Sequence, residues 1–302
     1  MGAFSSSFGK TILLGGGAIL LASAALAGAD DRKRADCGAI AGGRWVHLVA
    51  TGETWTSVGA RVGVDPAVLA ARNERTLRTP LKPGDVIGID NRHVVPPYDG
   101  ASLVVNVPQR MLFHYWEGAL RAYYPVAVGR ADWQTPLGSF TVLAAETDPT
   151  WDVPISIQEE MRRAGKPIIK AMPPGPTNPL GRYWLALSLG SVGLHGTNAP
   201  SSIYQFATHG CIRLHPDDIE DLFYRVDAGE RGRIVYEPVL VAFDGLDVFL
   251  EVHRDRYRRS PNPLGRAMEL LERAGLLERV DVTEIARVVR EAEGLAVAVT
   301  RR

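Results

Sequence analysis

The sequence predicts an α+β protein that is mainly β, with a β-sandwich or barrel-like central domain between two smaller parts. Segments of strand length, with alternating apolar and polar residues, follow one another from residue 103 to residue 236. The segment before them has the order β-α-α-β, and the segment after them has the apolar periodicity of helices. We therefore divide the chain of 302 residues into five parts: 1–29, 30–44, 45–90, 100–238 and 239–302.

The composition is that of a globular protein without a surplus of either charge. Hydrophobic residues make up 46% of the chain and charged residues 23%, and 34 Lys plus Arg balance 34 Asp plus Glu. A nucleic-acid-binding domain normally carries a basic surplus, so we expect no nucleic-acid partner. Cys37 and Cys211 are the two cysteines of the sequence, which excludes a disulfide-dense framework.

Residues 1–29 have the features of an export signal. Lys10 precedes an apolar run over 11–26, and small residues occur at Ala25-Leu26-Ala27. The run is slightly shorter than the ~20 residues of a membrane-spanning helix, so an uncleaved anchor is the alternative to a cleaved signal. A polar linker follows over 30–44. A cleaved signal and an uncleaved anchor both predict a location outside the cytoplasm, in the periplasm or cell envelope.

Residues 45–90 predict a small domain with strands over 46–49 and 86–89. One helical face is formed by residues at i, i+3 and i+7, namely Trp55, Val58 and Val62. Asp65-Pro66 begins a second helix, with a capping residue before a proline at the first helical position. These residues resemble a LysM module, a binder of glycan chains that contain N-acetylglucosamine. The resemblance rests on the opening strand, Gly52-Glu53-Thr54, Asn73 and Leu81-Lys82-Pro83-Gly84-Asp85. The alternative is an accessory domain without a ligand.

The central domain, 100–238, is predicted to contain several strands and one long connection. The strand candidates are 103–107, 111–116, 123–128, 139–143, 183–189 and 234–236. The proline-rich connection runs from about residue 146 to residue 182, and ordered loops of this length usually act as lids or binding loops. A passive insertion is the alternative. Pro216 begins a helix after the last of the motifs described below.

The C-terminal extension, 239–302, is predicted to be helical. Met268 and Leu271 mark one helix, and Asp281 with Glu284 caps another. We find no chemistry-bearing motif in this extension and expect it to pack on the main domain or on a partner.

The candidate chemistry lies in two short segments, Leu194-His195-Gly196 and Thr208-His209-Gly210-Cys211-Ile212-Arg213. A thiol is mostly protonated at neutral pH, and a neighbouring imidazole can remove its proton to give a strong nucleophile. His195 is therefore a candidate base for Cys211. Gly196 and Gly210 allow the backbone to come close to a substrate, and backbone N–H groups near Gly210 can face a developing oxyanion.

The residues alone leave two alternatives for this constellation. A lone cysteine in a core is usually a small hydrophobic residue, and a histidine after a strand is usually structural. Zinc is the other alternative, with four candidate ligands: His195, His209, Cys211 and His215. No paired spacing of metal ligands supports it.

The two segments resemble the signature of the L,D-transpeptidases, the YkuD-like family. That signature is His-Gly, a loop, and then Ser/Thr-x-Gly-Cys-Ile/Val-Arg or Asn, which here falls on His195-Gly196 and on 208–213. Thr135-Pro136-Leu137-Gly138-Ser139-Phe140 and Asn178-Pro179-Leu180-Gly181 also match. Residues 195–200 resemble the branch that attaches lipoprotein to peptidoglycan or cross-links stem peptides. With the LysM-like module, the resemblance covers roughly residues 45–238.

The resemblance implies a reaction and the groups that carry it. Cys211 attacks the third residue, normally meso-diaminopimelate, of a peptidoglycan tetrapeptide stem, and D-alanine leaves. An amine of a second stem or of a lipoprotein lysine then resolves the thioester. His195 is the base, the carbonyl of Gly196 orients its ring, and the N–H groups of His209, Gly210 and Cys211 are the candidate oxyanion donors. The resemblance requires no metal or cofactor, and it implies carbapenems as covalent inhibitors.

Three further residues are candidates for substrate binding: Arg213, Thr208 and Trp151. Arg213 would hold a carboxylate, with a structural salt bridge as the alternative. Trp151 would cover the site from the long connection, with a core plug as the alternative. For His209 we favour a role in shaping the loop over contact with substrate.

Two residues depart from the family pattern. Thr208 stands where serine is frequent and keeps a hydroxyl, whereas Tyr204 stands where related sequences often have glycine. Two other functions remain open. One is a hydrolase that uses the same acyl-enzyme, as a carboxypeptidase or amidase, and the other is a non-catalytic wall-binding protein.

Overall fold

The computed structural model describes residues 37–302. The predicted export signal, 1–29, and the first residues of the predicted linker lie outside this part of the chain. No helix in the described part is both long enough and apolar enough to cross a membrane.

The N-terminal part contains four short strands and two helices. They are β1 (Ala39–Ala41), β2 (Arg44–Leu48), α1 (Trp55–Val62), α2 (Pro66–Arg72), β3 (Val86–Asp90) and β4 (His93–Val95). Strands β2 and β3 pair antiparallel, which gives the order β-α-α-β over β2 to β3. Thr54 and Ser57 form a capping box at the start of α1, and Gly63 ends this helix with a φ of 76°. Trp55 and Val58 of α1 are buried against Leu69 and Ile87.

The central domain is built from eleven strands and two helices within residues 37–302. The strands are β5 (Leu103–Asn106), β6 (Met111–Trp116), β7 (Ala119–Gly129), β8 (Gly138–Thr147), β9 (Trp151–Asp152), β10 (Ala171–Met172), β11 (Tyr183–Leu187), β12 (Gly193–His195), β13 (Phe206–Thr208), β14 (Ile212–Leu214) and β15 (Arg231–Val235). The helices are α3 (Ile155–Arg163) and α4 (Pro216–Phe223).

Eight of these strands close into a ring within the described residues. The order is β7-β14-β12-β11-β8-β15-β5-β6, and β6 pairs again with β7. Strand β13 joins the C-terminal end of β7 from outside the ring. Fully buried residues such as Leu112, Leu185 and Ile212 fill the interior. The prediction of a mainly β, barrel-like domain is therefore confirmed.

The C-terminal extension differs from the sequence prediction because it contains a sheet as well as helices. Its elements are β16 (Val239–Phe243), β17 (Val248–Val252), α5 (Pro263–Arg273), α6 (Val282–Glu291) and β18 (Val297–Ala298). The three strands pair in the order β16-β17-β18. Strand β17 is buried along its whole length, so it lacks the apolar-polar alternation that identifies a half-buried strand. Helices α5 and α6 cover the sheet with Leu271 and Ile285.

A buried cluster of polar residues joins the three parts of the chain. We call it the junction cluster, and it consists of His93, Gln109, Glu251 and His253. Oε1 of Glu251, which is fully buried, accepts hydrogen bonds from Nδ1 of His93 at 2.9 Å, Nε2 of His253 at 2.7 Å and Nε2 of Gln109 at 3.0 Å. Nε2 of His93 also lies 2.8 Å from the carbonyl oxygen of Gly63. Both ring nitrogens of His93 thus lie within hydrogen-bond distance of oxygen atoms.

Burial by itself raises the pKa of the Glu251 carboxyl, but the two histidines lower it to about 2 overall. The buried carboxylate is therefore charged, and hydrogen bonds from His93, Gln109 and His253 compensate for its burial.

Candidate active site

The two motif segments meet because β12 and β14 are parallel neighbours in the ring. Leu194 pairs with Ile212, and His195 pairs with Arg213. Leu194 and Ile212 point into the core, so His195, Cys211 and Arg213 point to the opposite face, as side chains alternate along a strand. His195, Cys211 and Arg213 line one cleft of about 600 Å³. The structure thus brings the predicted nucleophile and base to the same site.

His195 is held as a neutral base. Its Nδ1 lies 2.7 Å from the carbonyl oxygen of Gly196, which can only accept a hydrogen bond. Nδ1 therefore carries the proton, and Nε2 keeps its lone pair. Burial and, to a smaller extent, the nearby Arg213 lower the pKa of His195 to about 3, while the carbonyl oxygens of Gly196 and Leu180 act in the opposite direction. The imidazole is therefore uncharged at neutral pH.

Cys211 is half-buried and lies at the residue before β14. Burial raises the pKa of the thiol, whereas the N–H of Gly193 and the charge of Arg213 lower it in part. Sγ lies 3.9 Å from the carbonyl oxygen of Ser191, a distance suited to a weak S–H donor. The resting site therefore holds a neutral thiol and a neutral imidazole in one cleft, and the nucleophile forms only when a base removes the thiol proton.

Gly193 and Trp184 support His195, and the sequence did not identify either of them. Trp184 is the partner of His195 across β11 and β12, with the ring centroids 5.9 Å apart and the planes at 31°. A Cβ atom on Gly193 would lie 2.3 Å from the Trp184 ring, so this position requires glycine. The feature of the sequence that could have identified Trp184 is its position on the less apolar face of its strand.

The turn before Cys211 is held by the hydroxyl of Thr208. This hydroxyl donates a 2.6 Å hydrogen bond to the carbonyl oxygen of Cys211 and accepts one of 3.2 Å from the N–H of Gly210. Gly210 has a φ of +112°, which favours glycine. The hydroxyl of Thr208 therefore holds the turn, and Thr208 also lines the cleft, where its contact with substrate stays a prediction. The N–H of Gly210 is also used inside the turn, which leaves those of His209 and Cys211 as the oxyanion candidates.

Gly196 is closely packed. Its φ is not in the left-handed region, but a Cβ atom there would come within 3.2 Å of the carbonyl oxygen of Leu180 and 3.3 Å of the Ile219 side chain. The absent side chain thus lets the Gly196 carbonyl reach the His195 ring.

His209 and Trp151 connect the site to the long connection. Nε2 of His209 lies 2.5 Å from Oε2 of Glu160 on α3, and its ring packs edge-on against Trp133. The hydrogen bond with His209 is the main cause that lowers the pKa of Glu160. Trp151 lies on β9, which pairs with β10, and it lines the cleft. These contacts support the loop-shaping role for His209 and place the long connection over the site.

Arg213 is a half-buried cation without a carboxylate partner in the described part of the chain. Its Nη1 donates a 2.9 Å hydrogen bond to Oγ of Ser202, and its buried Nε has no hydrogen-bond partner. Burial lowers the pKa of the guanidinium. A structural salt bridge, the alternative raised by the sequence, does not form among residues 37–302. The free donor in the cleft instead suits an anionic group of a ligand.

The backbone conformation at Tyr204 explains why related sequences often have glycine at this position. Tyr204 has a φ of +61°, in the left-handed region that glycine adopts easily. Its ring is buried, and the guanidinium of Arg110 stacks on it at 4.0 Å. This stacking helps to hold a bulky residue in a conformation that favours glycine.

The zinc alternative does not fit the described residues. Within 37–302, no group of three or more His, Cys, Asp or Glu side chains is arranged to hold a metal ion. His209 is engaged by Glu160, and Nδ1 of His215 accepts a 3.3 Å hydrogen bond from the N–H of Asp217 at the start of α4.

Comparison with known proteins identifies relatives of the central domain, which carries the site. The YkuD family of L,D-transpeptidase catalytic domains matches residues 100–241. The probable L,D-transpeptidase YbiS of Escherichia coli is 34% identical over 177 residues, which are 57% of each chain. The putative L,D-transpeptidase YkuD of Bacillus licheniformis is 30% identical over 189 residues, or 62% of this chain and 96% of that protein.

The likeness to YbiS thus covers little more than half of that relative's length. Among solved structures, L,D-transpeptidase 3 from Mycobacterium tuberculosis aligns with a TM-score of 0.35 and 18% identity, over 51% of this chain and 76% of that one. This likeness is too distant to support further inference.

Proposed function

Because the chain belongs to the YkuD family of L,D-transpeptidase catalytic domains, we propose that it cross-links peptidoglycan by acyl transfer through a cysteine thioester. The observation that carries this proposal is the neutral His195, fixed through Nδ1 by the Gly196 carbonyl, in one cleft with Cys211. A neutral thiol next to a neutral base is the arrangement that general-base activation of a nucleophile requires.

In the first half-reaction, Nε2 of His195 takes the thiol proton as Sγ of Cys211 attacks the donor carbonyl. The donor is the third residue of a tetrapeptide stem, meso-diaminopimelate. The N–H groups of His209 and Cys211 stabilise the oxyanion. The C–N bond to D-alanine then breaks, His195 returns the proton to the leaving amine, and a thioester remains on Sγ.

In the second half-reaction, an amine attacks the thioester. His195 takes a proton from the attacking amine and returns it to the departing thiolate, so that Cys211 is restored and one amide bond has replaced another. Arg213 binds a carboxylate of the stem, because its buried Nε has no partner and its charge is unpaired within the described residues. Trp151 covers the bound stem from the long connection.

The N-terminal part acts as a LysM module that holds the enzyme on glycan strands. This assignment rests on the order β-α-α-β and on the motif residues in the turns of that segment. The chain functions in the periplasm or cell envelope, exported by its first 29 residues. The acceptor is a second stem or a lysine of an outer-membrane lipoprotein, as the similarity of residues 195–200 to that branch suggests.

The first experiment is intact-protein mass spectrometry of the chain mixed with a carbapenem. We expect a single adduct on the wild type and none on Cys211→Ala. A folded wild type without an adduct would contradict the proposal and favour a non-catalytic wall-binding protein.

The second experiment separates transfer from hydrolysis. The chain is incubated with disaccharide tetrapeptides, and the products are separated by chromatography. Cross-linked dimers are expected from a transpeptidase. Tripeptides alone would show that water resolves the thioester and that the enzyme is a carboxypeptidase.

A further inference from the structure

A second cavity, of about 470 Å³, lies where the N-terminal part, the ring and the C-terminal extension meet. We call it the junction pocket, and it is lined by α2, by Arg110 and Phe206 of the central domain, and by Arg254 and Arg256 after β17. It is separate from the cleft, since no lining residue is shared between the two.

The cations of this pocket lack carboxylate partners among residues 37–302. Arg254 and Arg256 are exposed, and neither forms a salt bridge in that part of the chain. The buried Nε of Arg110 has no hydrogen-bond partner, although its Nη1 donates to the carbonyl oxygen of Tyr204 at 3.2 Å. Asp255, between the two arginines, turns away and accepts a 2.7 Å hydrogen bond from the hydroxyl of Tyr236.

The carboxylates of the same pocket are already engaged. Glu293 pairs with Arg72 at 2.5 Å, Glu291 pairs with Arg287, and Asp65 caps α2 through the N–H of Ala67 at 2.9 Å. Three arginines without a carboxylate partner in the described part of the chain thus line the pocket beside Asp65, the carboxylate that no arginine pairs with, so the unmatched charge is positive in a chain whose formal net charge is zero. A concave site with the exposed guanidinium groups of Arg254 and Arg256 favours an anionic ligand.

We infer that the junction pocket binds carboxylate groups of a peptidoglycan stem other than the stem that occupies the cleft. The inference rests on the proposed function, because that function supplies the carboxylate-bearing ligand. Arginine pairs well with planar carboxylates, and the two exposed guanidinium groups of Arg254 and Arg256 at one cavity match the several carboxylates of a stem peptide.

Strand β13 links the junction pocket to the cleft. Phe206, at its first residue, lines the pocket, and Arg110 lies 5.5 Å over its ring. Thr208, at its last residue, holds the turn of Cys211. A stem bound in the pocket would thus lie at the opposite end of a three-residue strand from the nucleophile.

The test is calorimetric titration of a disaccharide tetrapeptide into the full chain carrying Cys211→Ala, which prevents turnover. We expect two classes of sites. Arg254→Ala with Arg256→Ala weakens one class by at least about tenfold and leaves the other unchanged, since each lost charged hydrogen bond costs about a factor of ten. Arg213→Ala has the reverse effect, because it lies in the cleft.

The matched control is Arg121→Ala with Arg258→Ala, which removes two other exposed arginines that form no salt bridge in the described residues. This control should leave both classes intact. Equal loss in both double variants would show nonspecific attraction and overturn the inference. A single class that is insensitive to Arg254 and Arg256 would also overturn it.

Two further titrations identify the ligand. A tetrapeptide with amidated carboxyl groups should lose the class that depends on Arg254 and Arg256. Phosphatidylglycerol vesicles that bind through these arginines, when the tetrapeptide does not, would overturn the inference in favour of a lipid surface. A titration that lacks the binding sites that depend on Arg213 but keeps those that depend on Arg254 and Arg256 would contradict the proposed function and support binding in the junction pocket.

Discussion

His195 is oriented by a backbone carbonyl, with no carboxylate bonded to its ring. A carbonyl fixes the tautomer but adds no negative charge that would stabilise the protonated ring. Burial and Arg213 therefore dominate and keep the pKa of His195 at about 3. His195 is therefore unprotonated and able to accept a proton over a wide pH range. Protonating this buried imidazole during the reaction costs free energy.

The first prediction is that carbapenem acylation of Cys211 changes little with pH. Above pH 4 His195 is deprotonated, and the raised thiol pKa keeps Cys211 protonated through neutral pH. The rate constant should stay within about twofold from about pH 5 to pH 8, measured by mass spectrometry.

A rate that rises with a midpoint near pH 6.5, the ordinary value for histidine, would contradict this prediction. The control is Arg213→Met, which removes a charge that disfavours the protonated ring. This variant should raise the pKa of His195 and move the acid limit of the rate upward.

The sequence identifies His195 and Cys211 because the chemistry of each residue type and the family signature point to the same two positions. It does not identify Gly193 or Trp184, since their importance depends on the register between β11 and β12. The sequence also does not identify the role of the Thr208 hydroxyl inside the turn, since its partners there depend on the fold.

Helix α3 lies on the surface of the ring without burying any of its residues. Glu160 links it both to His209 and to Arg130. Elements with few buried apolar contacts open locally at low cost. The carboxylate of Glu160 thus joins the long connection to the turn before Cys211, through its hydrogen bond with His209.

The second prediction is that Glu160→Ala loosens α3 without unfolding the protein. Amide hydrogen exchange over 155–163 should become several-fold faster, because the hydrogen bond to His209 is lost. The apparent affinity for the tetrapeptide should fall, since the cover of the cleft is open more often.

Glu159→Ala is the matched control, as Glu159 is the neighbouring residue and is exposed. Equal exchange rates in the two variants would mean that Glu160 does not hold the helix.

The element that sequence reasoning missed is the sheet of the C-terminal extension. Strands β16 and β17 are short apolar runs, and a run of this kind does not distinguish a buried strand from a buried helix by periodicity. The ring was easier to predict, because β8 and β11 alternate between its interior and its outer face.

Across the whole molecule, Glu251 couples parts of the chain that are distant in sequence. The carboxylate binds His93, 158 residues away, and Gln109, 142 residues away. The guanidinium of Arg61 on α1 adds a surface contact to Asp218 of α4 at 2.8 Å. The N-terminal part is thus joined to both of its neighbours by charged groups.

The third prediction is that Glu251→Gln lowers the free energy of unfolding by about 1–3 kcal/mol in urea denaturation, since an amide cannot accept hydrogen bonds at both positions where the buried carboxylate accepts them, from His93 and from the N–H of Val94. Glu293→Gln is the control at the exposed salt bridge with Arg72, and it should cost less than about 1 kcal/mol. Similar losses of unfolding free energy in the two variants would show that the buried contacts of Glu251 contribute no more than an exposed salt bridge.

The same substitution predicts a dependence on pH. The folded pKa of Glu251 is depressed to about 2 from 4.5, so its contribution is complete above pH 4.5 and is lost as pH falls through 2. The difference in stability between the wild type and Glu251→Gln should shrink over that range.

The closure of the ring also constrains how the chain folds. Strand β5 pairs in parallel with β15, which joins residues 103–106 to residues 232–235. During synthesis, the edge of β5 that β15 will cover therefore stays unpaired until well over a hundred later residues have been made. Contacts so distant along the chain form slowly, and an open edge during that interval invites pairing with other chains. The nascent protein is thus most prone to aggregation after its active-site strands exist and before β15 arrives.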